Sequence, residues 1–182
     1  GTEAKTAVER ARRQLAGLIN CDHKEIVFTS GATESINLAL KGFCDKQPGS
    51  NLLTMETEHK AVIDCVKIIK NSQHIIFYAD VNHDGTIKMQ SFDHHIKNNE
   101  IDLVAIMHAN NEIGAIQPIK EISNHISAEK TCLFVDGAQS VGKIPVNVSS
   151  MGIDLMAISA HKFYGPKGIG ALYINSKYRH KI

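Results

Sequence analysis

Two kinds of hydrophobic pattern alternate along the chain. Short, mostly apolar runs, such as those at residues 101–107 and 131–135, are typical of strands that are buried on both faces. Between them lie longer stretches with apolar residues at every third or fourth position, as at Val62, Val66 and Ile69, which is the period of an amphipathic helix. The pattern predicts strands that alternate with helices from end to end.

The predicted elements define a fold class. Strands that alternate with helices form mostly parallel sheets with right-handed crossovers. We therefore expect an α/β fold of three layers, with a mostly parallel sheet and helices on both faces. The predicted helices span residues 3–19, 30–43, 59–70, 89–98 and 118–128, and the predicted strands span residues 25–29, 51–55, 74–78, 101–107, 131–135, 155–158 and 170–174.

The composition fits one domain and excludes several function classes. The 182 residues are 43% hydrophobic, and 20 Lys and Arg against 19 Asp and Glu leave a net charge of +1, without the basic footprint of nucleic-acid binding. No apolar stretch is long enough to span a membrane, and no signal peptide is recognised. The four cysteines are scattered, with no CxxC pair and no metal-ligand spacing. We expect a cytoplasmic location (the mitochondrial matrix in a eukaryote), with no metal site and no nucleic-acid or membrane partner.

The most specific chemistry lies where two predicted strands end. Lys162 follows strand 155–158 and precedes a glycine-rich turn, a place where its ammonium loses hydration and the neutral amine can form a Schiff base. Asp136 follows strand 131–135, at the edge where such sheets bind ligands. A lysine for an aldehyde and a carboxylate for a pyridinium nitrogen are the two contacts that pyridoxal 5'-phosphate (PLP) needs most. The alternatives are a surface lysine and an aspartate that closes a turn.

Other strand ends carry groups that suit the same cofactor. Ala32 and Thr33 open a predicted helix, whose free N–H groups can bind a phosphate, although Ser30 or Thr33 could instead cap that helix. His59 can stack on a flat ring or move a proton, and it can equally cap a helix. The amide of Asn110 can bond a phenolic oxygen or close a turn. The remaining candidates are Gln139, Ser159 and His161. A nicotinamide site is disfavoured, since no GxGxxG follows the first strand.

Together these motifs resemble the cysteine desulfurases, which are PLP enzymes of the aminotransferase class V group with the fold-type I architecture. The Gly-Pro-Lys-Gly turn at 165–168 and the Asn-Asn-Glu stretch at 110–112 favour this family over other class V PLP lyases, such as selenocysteine lyases or kynureninase-like hydrolases. A partner-binding scaffold without activity is a further alternative. The matching stretches, in the family's order, are Phe28–Ser35, Thr57–Lys60, His108–Gly114, Val135–Lys143 and Ser159–Gly170.

The resemblance implies a role for each candidate. It makes Lys162 the lysine that is bound to PLP, and it makes His59 the group that stacks on the ring and transfers protons. Asp136 would keep the ring nitrogen protonated, with Gln139 at the phenolic oxygen and Asn110 at another ring substituent. The residues that would surround the phosphate are Ala32, Thr33, Ser159, Ala160 and His161.

The resemblance also implies a reaction and its partners. A cysteine desulfurase removes sulfur from L-cysteine, releases L-alanine and leaves a persulfide on a catalytic cysteine. An iron–sulfur scaffold or another sulfur-acceptor protein, as in tRNA thiolation, then takes the sulfur, and the full-length enzymes are homodimers.

The resemblance covers the PLP-binding large domain, which we assign to residues 1–182. Family members also have a segment before this domain and a small domain after it that carries the catalytic cysteine, and these motifs are not found here. We interpret all four cysteines as structural and expect the polypeptide to be inactive on its own. They are Cys21, Cys44, Cys65 and Cys132.

Overall fold

Seven strands form a single sheet in the computed structural model, which describes residues 1–182. The strands are β1 (Ile26–Thr29), β2 (Asn51–Thr54), β3 (Ile75–Tyr78), β4 (Leu103–Met107), β5 (Cys132–Asp136), β6 (Leu155–Ser159) and β7 (Gly170–Ile174). The helices are α1 (Thr2–Ile19), α2 (Ala32–Lys46), α3 (Lys60–Lys70), α4 (Met89–Asn98), α5 (Ile119–His125) and α6 (Val148–Met151), with short 3-10 helices at His23–Glu25, Ala160–Phe163 and Ser176–Lys181.

The order of the strands brings six carboxyl ends to one edge of the sheet. The order is β1-β7-β6-β5-β4-β2-β3. Neighbours from β6 through β3 pair in parallel, whereas β7 pairs antiparallel with both β6 and β1. All strands except β7 therefore run in one direction, and the loops that follow them meet at one edge, where sheets of this type bind ligands.

Helices cover both faces of the sheet, as predicted. Along β4, Val104 and Ile106 face a core that includes side chains of α1, α4, α5 and α6. Leu103 and Ala105 face a second core formed with α2 and α3. This alternation follows from the period of two in a strand, and it explains why the central strands are apolar throughout. The prediction of a three-layer α/β fold is confirmed.

The differences from the predicted elements lie at ends and in short segments. Helix α2 continues to Lys46, and α5 ends at His125 rather than at 128. The helix α6 was not predicted, because its four residues are too short to show a period. The Asn147 side chain holds it by accepting the Ser150 N–H at 2.9 Å. None of the helices is long and apolar enough to cross a membrane.

Candidate active site

A cavity of about 430 Å³ opens at the edge of the sheet where the six strands end. It is lined by the loops that follow β1, β2, β4, β5 and β6, so residues far apart in sequence meet there. Eight of the ten predicted site residues line it, namely Ala32, Thr33, His59, Asp136, Gln139, Ser159, His161 and Lys162. The parallel topology thus assembles the groups that the sequence placed at separate strand ends.

The N-terminus of α2 has backbone N–H groups that no capping side chain occupies. Its N-cap is Gly31, which provides no side-chain cap, so neither Ser30 nor Thr33 caps the helix. The Glu34 carboxylate turns back to accept the Ser30 N–H at 2.6 Å, and hydrogen bonding to Ser30 lowers the pKa of Glu34. The first N–H groups of a helix lack intrahelical partners, and the helix dipole favours an anion there. This end of the cavity suits a phosphate.

A close backbone contact holds the α2 N-terminus against the sheet. A Cβ on Gly170, the first residue of β7, would lie 2.6 Å from the Gly31 Cα and 2.5 Å from the Ile158 carbonyl oxygen. Real Cβ atoms do not approach other atoms so closely. The absence of a side chain at Gly170 therefore allows the loop before α2 to lie on the end of the sheet, beside Lys162 in the cavity.

Asp136 is a buried carboxylate without a cation. It ends β5, is 4% exposed and lines the cavity. The hydrogen bond that its carboxylate accepts comes from the Ala138 N–H at 3.0 Å, and no lysine, arginine or histidine forms a salt bridge with it. Burial raises the pKa of Asp136, against the opposing effects of the Ala138 N–H and of His59. A buried carboxylate that has one hydrogen bond and no salt bridge favours a ligand with a positively charged N–H group.

His59 caps a helix, as one of the two alternatives from the sequence predicts, and it also lines the cavity. It is the N-cap of α3, and its Nδ1 accepts the Ala61 N–H at 3.1 Å. The neutral ring then carries its proton on Nε2. The cap fixes the ring in the cavity lining and leaves Nε2 available for proton transfer.

Lys162 lies at the predicted place but in a different environment. β6 ends at Ser159, and Lys162 follows on the 3-10 helix Ala160–Phe163 with an exposed side chain. The expected loss of hydration at a buried strand end is therefore wrong for this structure, because the lysine stands one turn beyond the strand. Beside it, Ser159 Oγ and His161 Nδ1 lie 2.9 Å apart and form a hydrogen bond.

A neighbouring lysine sets the orientation of the Gln139 amide. Lys143 Nζ donates to Gln139 Oε1 at 2.8 Å, one helical turn along the segment that follows β5. An ammonium group can only donate, so the amide oxygen must face it. The Gln139 NH₂ is then left to donate to a ligand, which is the orientation that a phenolic oxygen requires.

Two predicted residues lie outside the cavity lining. The Asn110 amide is fully engaged, since Nδ2 donates to the Thr57 carbonyl at 3.1 Å and Oδ1 accepts the N–H groups of Glu112 and Ile113. Asn110 thus holds two loops of the site together. The Ala160 N–H donates to the Ile169 carbonyl at 3.1 Å, and its side chain lines an apolar groove with Phe163 and Pro166. The ligand contacts that the resemblance implies for both residues stay predictions, and in this structure both residues hold loops of the site instead.

Some lining residues were missed by the sequence analysis. Asn111 lines the cavity in place of Asn110, and Lys167 adds a second cation beside Lys162. The signal for Lys167 is present in the Gly-Pro-Lys-Gly turn at 165–168, which favours the family but does not by itself place the lysine in the site. No group of three His, Cys, Asp or Glu side chains is placed to hold a metal ion.

Comparison with known proteins defines the class to which this fold and site belong. Residues 1–182 match the aminotransferase class-V family over their whole length. The chain belongs to this family, whose members are PLP-dependent enzymes.

Individual relatives are more specific. The chain is 48% identical over 184 aligned residues to cysteine desulfurase IscS from Buchnera aphidicola subsp. Baizongia pistaciae, and 48% identical to that of Neisseria meningitidis serogroup A. Each alignment covers 100% of this chain and 45% of the relative. The chain therefore spans about half the length of the curated relatives that it matches.

Solved structures confirm the architecture. A NifS-like protein superposes with a TM-score of 0.92 at 36% identity, covering 97% of this chain and 49% of that one. SspA in complex with cysteine gives the same TM-score and identity, covering 100% of this chain and 52% of that one. The apo cysteine desulfurase of Thermococcus onnurineus NA1 also gives 0.92, at 29% identity, covering 99% of this chain and 45% of that one.

Proposed function

We propose that residues 1–182 form the PLP-binding domain of a cysteine desulfurase. The observation that carries the proposal is Asp136, a buried carboxylate that forms no salt bridge, which shares one cavity with Lys162 and with the uncapped N-terminus of α2. The names of the relatives and the cysteine bound in SspA support L-cysteine as the substrate.

The groups in the cavity fit PLP one by one. Its pyridinium N–H would supply the donor that the Asp136 carboxylate lacks. Its phosphate suits the N–H groups at the start of α2, with Lys167 as a nearby cation. Its aldehyde needs a primary amine, which Lys162 provides. We propose that Thr33, Ser159 and His161 add hydrogen bonds to the phosphate and that Ala32 contributes through its N–H.

Bound PLP supplies an electron sink for bonds next to the substrate nitrogen. The residues of this chain prepare the site for that chemistry. Asp136 would hold a proton at the ring nitrogen, and the Gln139 NH₂ would donate to the phenolic oxygen because Lys143 holds its amide oxygen. His59 would take and give protons at Nε2. Lys162 would hold the aldehyde through Nζ.

The remaining steps and partners belong to the same proposal. The sulfur of L-cysteine would pass to a catalytic cysteine as a persulfide, with release of L-alanine. None of the chain's four cysteines lines the cavity, so we assign the accepting thiol to sequence other than residues 1–182. An iron–sulfur scaffold or another sulfur-acceptor protein would receive the sulfur from a homodimeric enzyme. The four free thiols support a reducing location such as the cytoplasm.

Reductive labelling tests the central assignment. The chain is incubated with PLP, reduced with borohydride and digested, and the modified peptide is identified by mass spectrometry. We expect a single pyridoxyl group on Lys162. The Lys162→Arg variant should lose the label and keep its fold, since this side chain is exposed.

Lys167→Arg is the matched control, because Lys167 is also exposed and lines the same cavity. It should keep the label on Lys162. Labelling of Lys167, or labelling scattered over surface lysines in the parent, would contradict the proposed function.

A further inference from the structure

Glu58 is a buried acidic residue next to the cavity that the proposed chemistry does not use. It lies between Thr57 and His59 in the turn from β2 to α3, and it is 7% exposed. Its Oε1 accepts the N–H of Met107 at 2.8 Å. Met107 ends β4 and lies beside Asp136 in the register of the sheet. The Glu58 side chain thus joins the turn that carries His59 to the strand beside Asp136.

The hydrogen bond from the Met107 N–H to Glu58 takes the place of a backbone pair between β2 and β4, which do not pair at this position. β2 pairs with β4 at Leu52 and Leu53 and ends at Thr54, whereas β4 continues to Met107. Beyond the last pair, Thr54 Oγ1 donates to the Ala105 carbonyl at 2.8 Å, and Glu58 accepts the Met107 N–H. Buried backbone groups need such partners. The end of β4 therefore depends on Glu58.

No cation accompanies the Glu58 carboxyl. It forms no salt bridge, and its second oxygen, Oε2, is buried without a hydrogen-bond partner in the chain. The titratable groups on the turn and just after β4 are Glu56, His59 and His108, and Asp136 ends the neighbouring strand β5. Burial lowers the pKa of His108, which favours its neutral form. Burial raises the pKa of Glu58 well above its usual value, against the Met107 N–H, and the charge of Asp136 raises it further.

We propose that Glu58 is a positioning residue of the cofactor site, a neutral carboxylic acid that anchors the turn bearing His59 and leaves Asp136 as the anion at the ring nitrogen. The inference rests on the proposed function for the identity of that ring. An ionised Glu58 would put a second buried negative charge near Asp136, and neighbouring carboxylates do not readily ionise together.

The variants Glu58→Gln and Glu58→Ala test the proposal. Glutamine has the same shape and no charge, and it can still accept the Met107 N–H. We expect E58Q to bind PLP within about twofold of the parent between pH 6 and 8, measured by absorbance titration, and E58A to bind at least about tenfold more weakly because the turn loses its anchor.

The melting temperature without PLP reports the charge state. A group whose pKa is raised by folding stabilises the folded chain at low pH, and this contribution is lost as pH rises. The parent should therefore lose stability above the usual pKa of glutamate, and E58Q should lose less, because only Asp136 still contributes a raised pKa in this region. We expect E58Q to melt above the parent at pH 8, with a smaller difference at pH 5.

Two outcomes would overturn the proposal. E58Q could melt below the parent at pH 8 and at pH 5 alike, which would show that an ionised Glu58 stabilises the folded chain. E58Q could also lose as much PLP affinity as E58A, which would show that the carboxyl itself is required. If E58A does not fold, the E58Q measurements decide alone. A parent chain that is not labelled on Lys162 would refute the proposed function, but the melting comparison would still decide the charge state of Glu58.

Discussion

The role that we propose for Asp136 comes at a cost to the stability of the fold. Its carboxylate is buried beside an open cavity, with one hydrogen bond and no cation. The raised pKa means that the folded chain holds this proton more tightly than the unfolded chain does. Asp136 therefore favours folding at low pH, and that contribution is lost as pH rises through its folded-state pKa.

Asp136→Asn should weaken PLP binding without lowering the thermal stability of the chain. The amide removes the buried charge, so we expect the melting temperature without PLP at pH 8 to equal or exceed that of the parent. PLP affinity should fall about 10- to 100-fold, because a charge-assisted hydrogen bond is worth about 1.5–3 kcal/mol. Calorimetry and absorbance titration measure the two effects.

The control for this prediction is Asp154→Asn. Asp154 is also buried, but it precedes β6 at the opposite edge of the sheet, where it accepts the Leu133 N–H and pairs with Lys177 at 2.7 Å. This variant should change the melting temperature and leave PLP affinity unchanged. A D136N chain that melts lower than the parent but binds PLP equally well would refute our assignment of Asp136.

At the scale of elements, the site depends on the contact between the start of α2 and the start of β7. Gly170 and Gly31 approach too closely for a Cβ between them. This approach lets the free N–H groups of α2 face the same cavity as Lys162, which follows the neighbouring strand β6. The position of the proposed phosphate site is thus set by the packing of a helix on a strand.

Gly170→Ala should move this helix end. We expect a loss of about 1–3 kcal/mol in the free energy of unfolding, which is the range for overpacking. The preference for PLP over pyridoxal, which lacks the phosphate, should shrink. Urea unfolding and competitive titration of the two ligands measure these changes.

Gly17→Ala provides the matched control. Gly17 lies inside α1, and a Cβ there meets no atom within 4 Å. Alanine should stabilise the chain by about 0.5–1 kcal/mol through helix propensity, without a change in ligand preference. Equal ligand preferences in G170A and the parent would show that the glycine contact does not position the phosphate site.

At the scale of the whole molecule, the positions of the four cysteines argue against sulfur transfer to residues 1–182. Cys44, Cys65 and Cys132 are buried in the core beneath α2 and α3, and Cys21 is half-buried near the end of α1. Burial raises the pKa of Cys21 and of Cys44 to about 12 and that of Cys65 to about 11. Thiolates are the reactive form, so these cysteines are poor sulfur acceptors.

Residues 1–182 should therefore bind PLP without forming a persulfide. After incubation with PLP and L-cysteine, intact-mass spectrometry under non-reducing conditions should show no added sulfur atom on any of the four cysteines. Unfolding the chain in urea before alkylation with iodoacetamide should expose all four, as a control for their presence as free thiols. A persulfide on any of them in the folded chain would contradict our interpretation of these cysteines as structural.

Local pattern was sufficient for most of the fold and part of the site. The apolar runs at 101–107 and 131–135 could only be strands buried on both faces, because they combine short length with turn residues at their ends. The residues after those runs were placed correctly at one edge, since parallel strands bring their carboxyl ends together. The sequence predicts in this way that Asp136, His59 and Lys162 lie at this edge, and the structure places all three in the lining of one cavity.

Contacts between separate segments decided the hydrogen-bond partners and the exposure of the predicted site residues. The amide of Asn110 is used by the Thr57 carbonyl, which lies on another loop, and the Ala160 N–H is used by Ile169. The exposure of Lys162 depends on where β6 ends in three dimensions. No local pattern reports such contacts, because their partners are distant in sequence and reach the same edge only when the chain folds.

The amino-acid sequence by itself determined the order of strands and helices, the three-layer class and the residue types available at each strand end, because periodicity and turn chemistry are local properties. Only the tertiary structure decided which of those side chains face the cavity and which hold its loops together. It also showed Glu58, whose role depends on β2 ending before β4 does. Burial and hydrogen-bond partners arise from packing between distant segments, and they set the chemistry of each group.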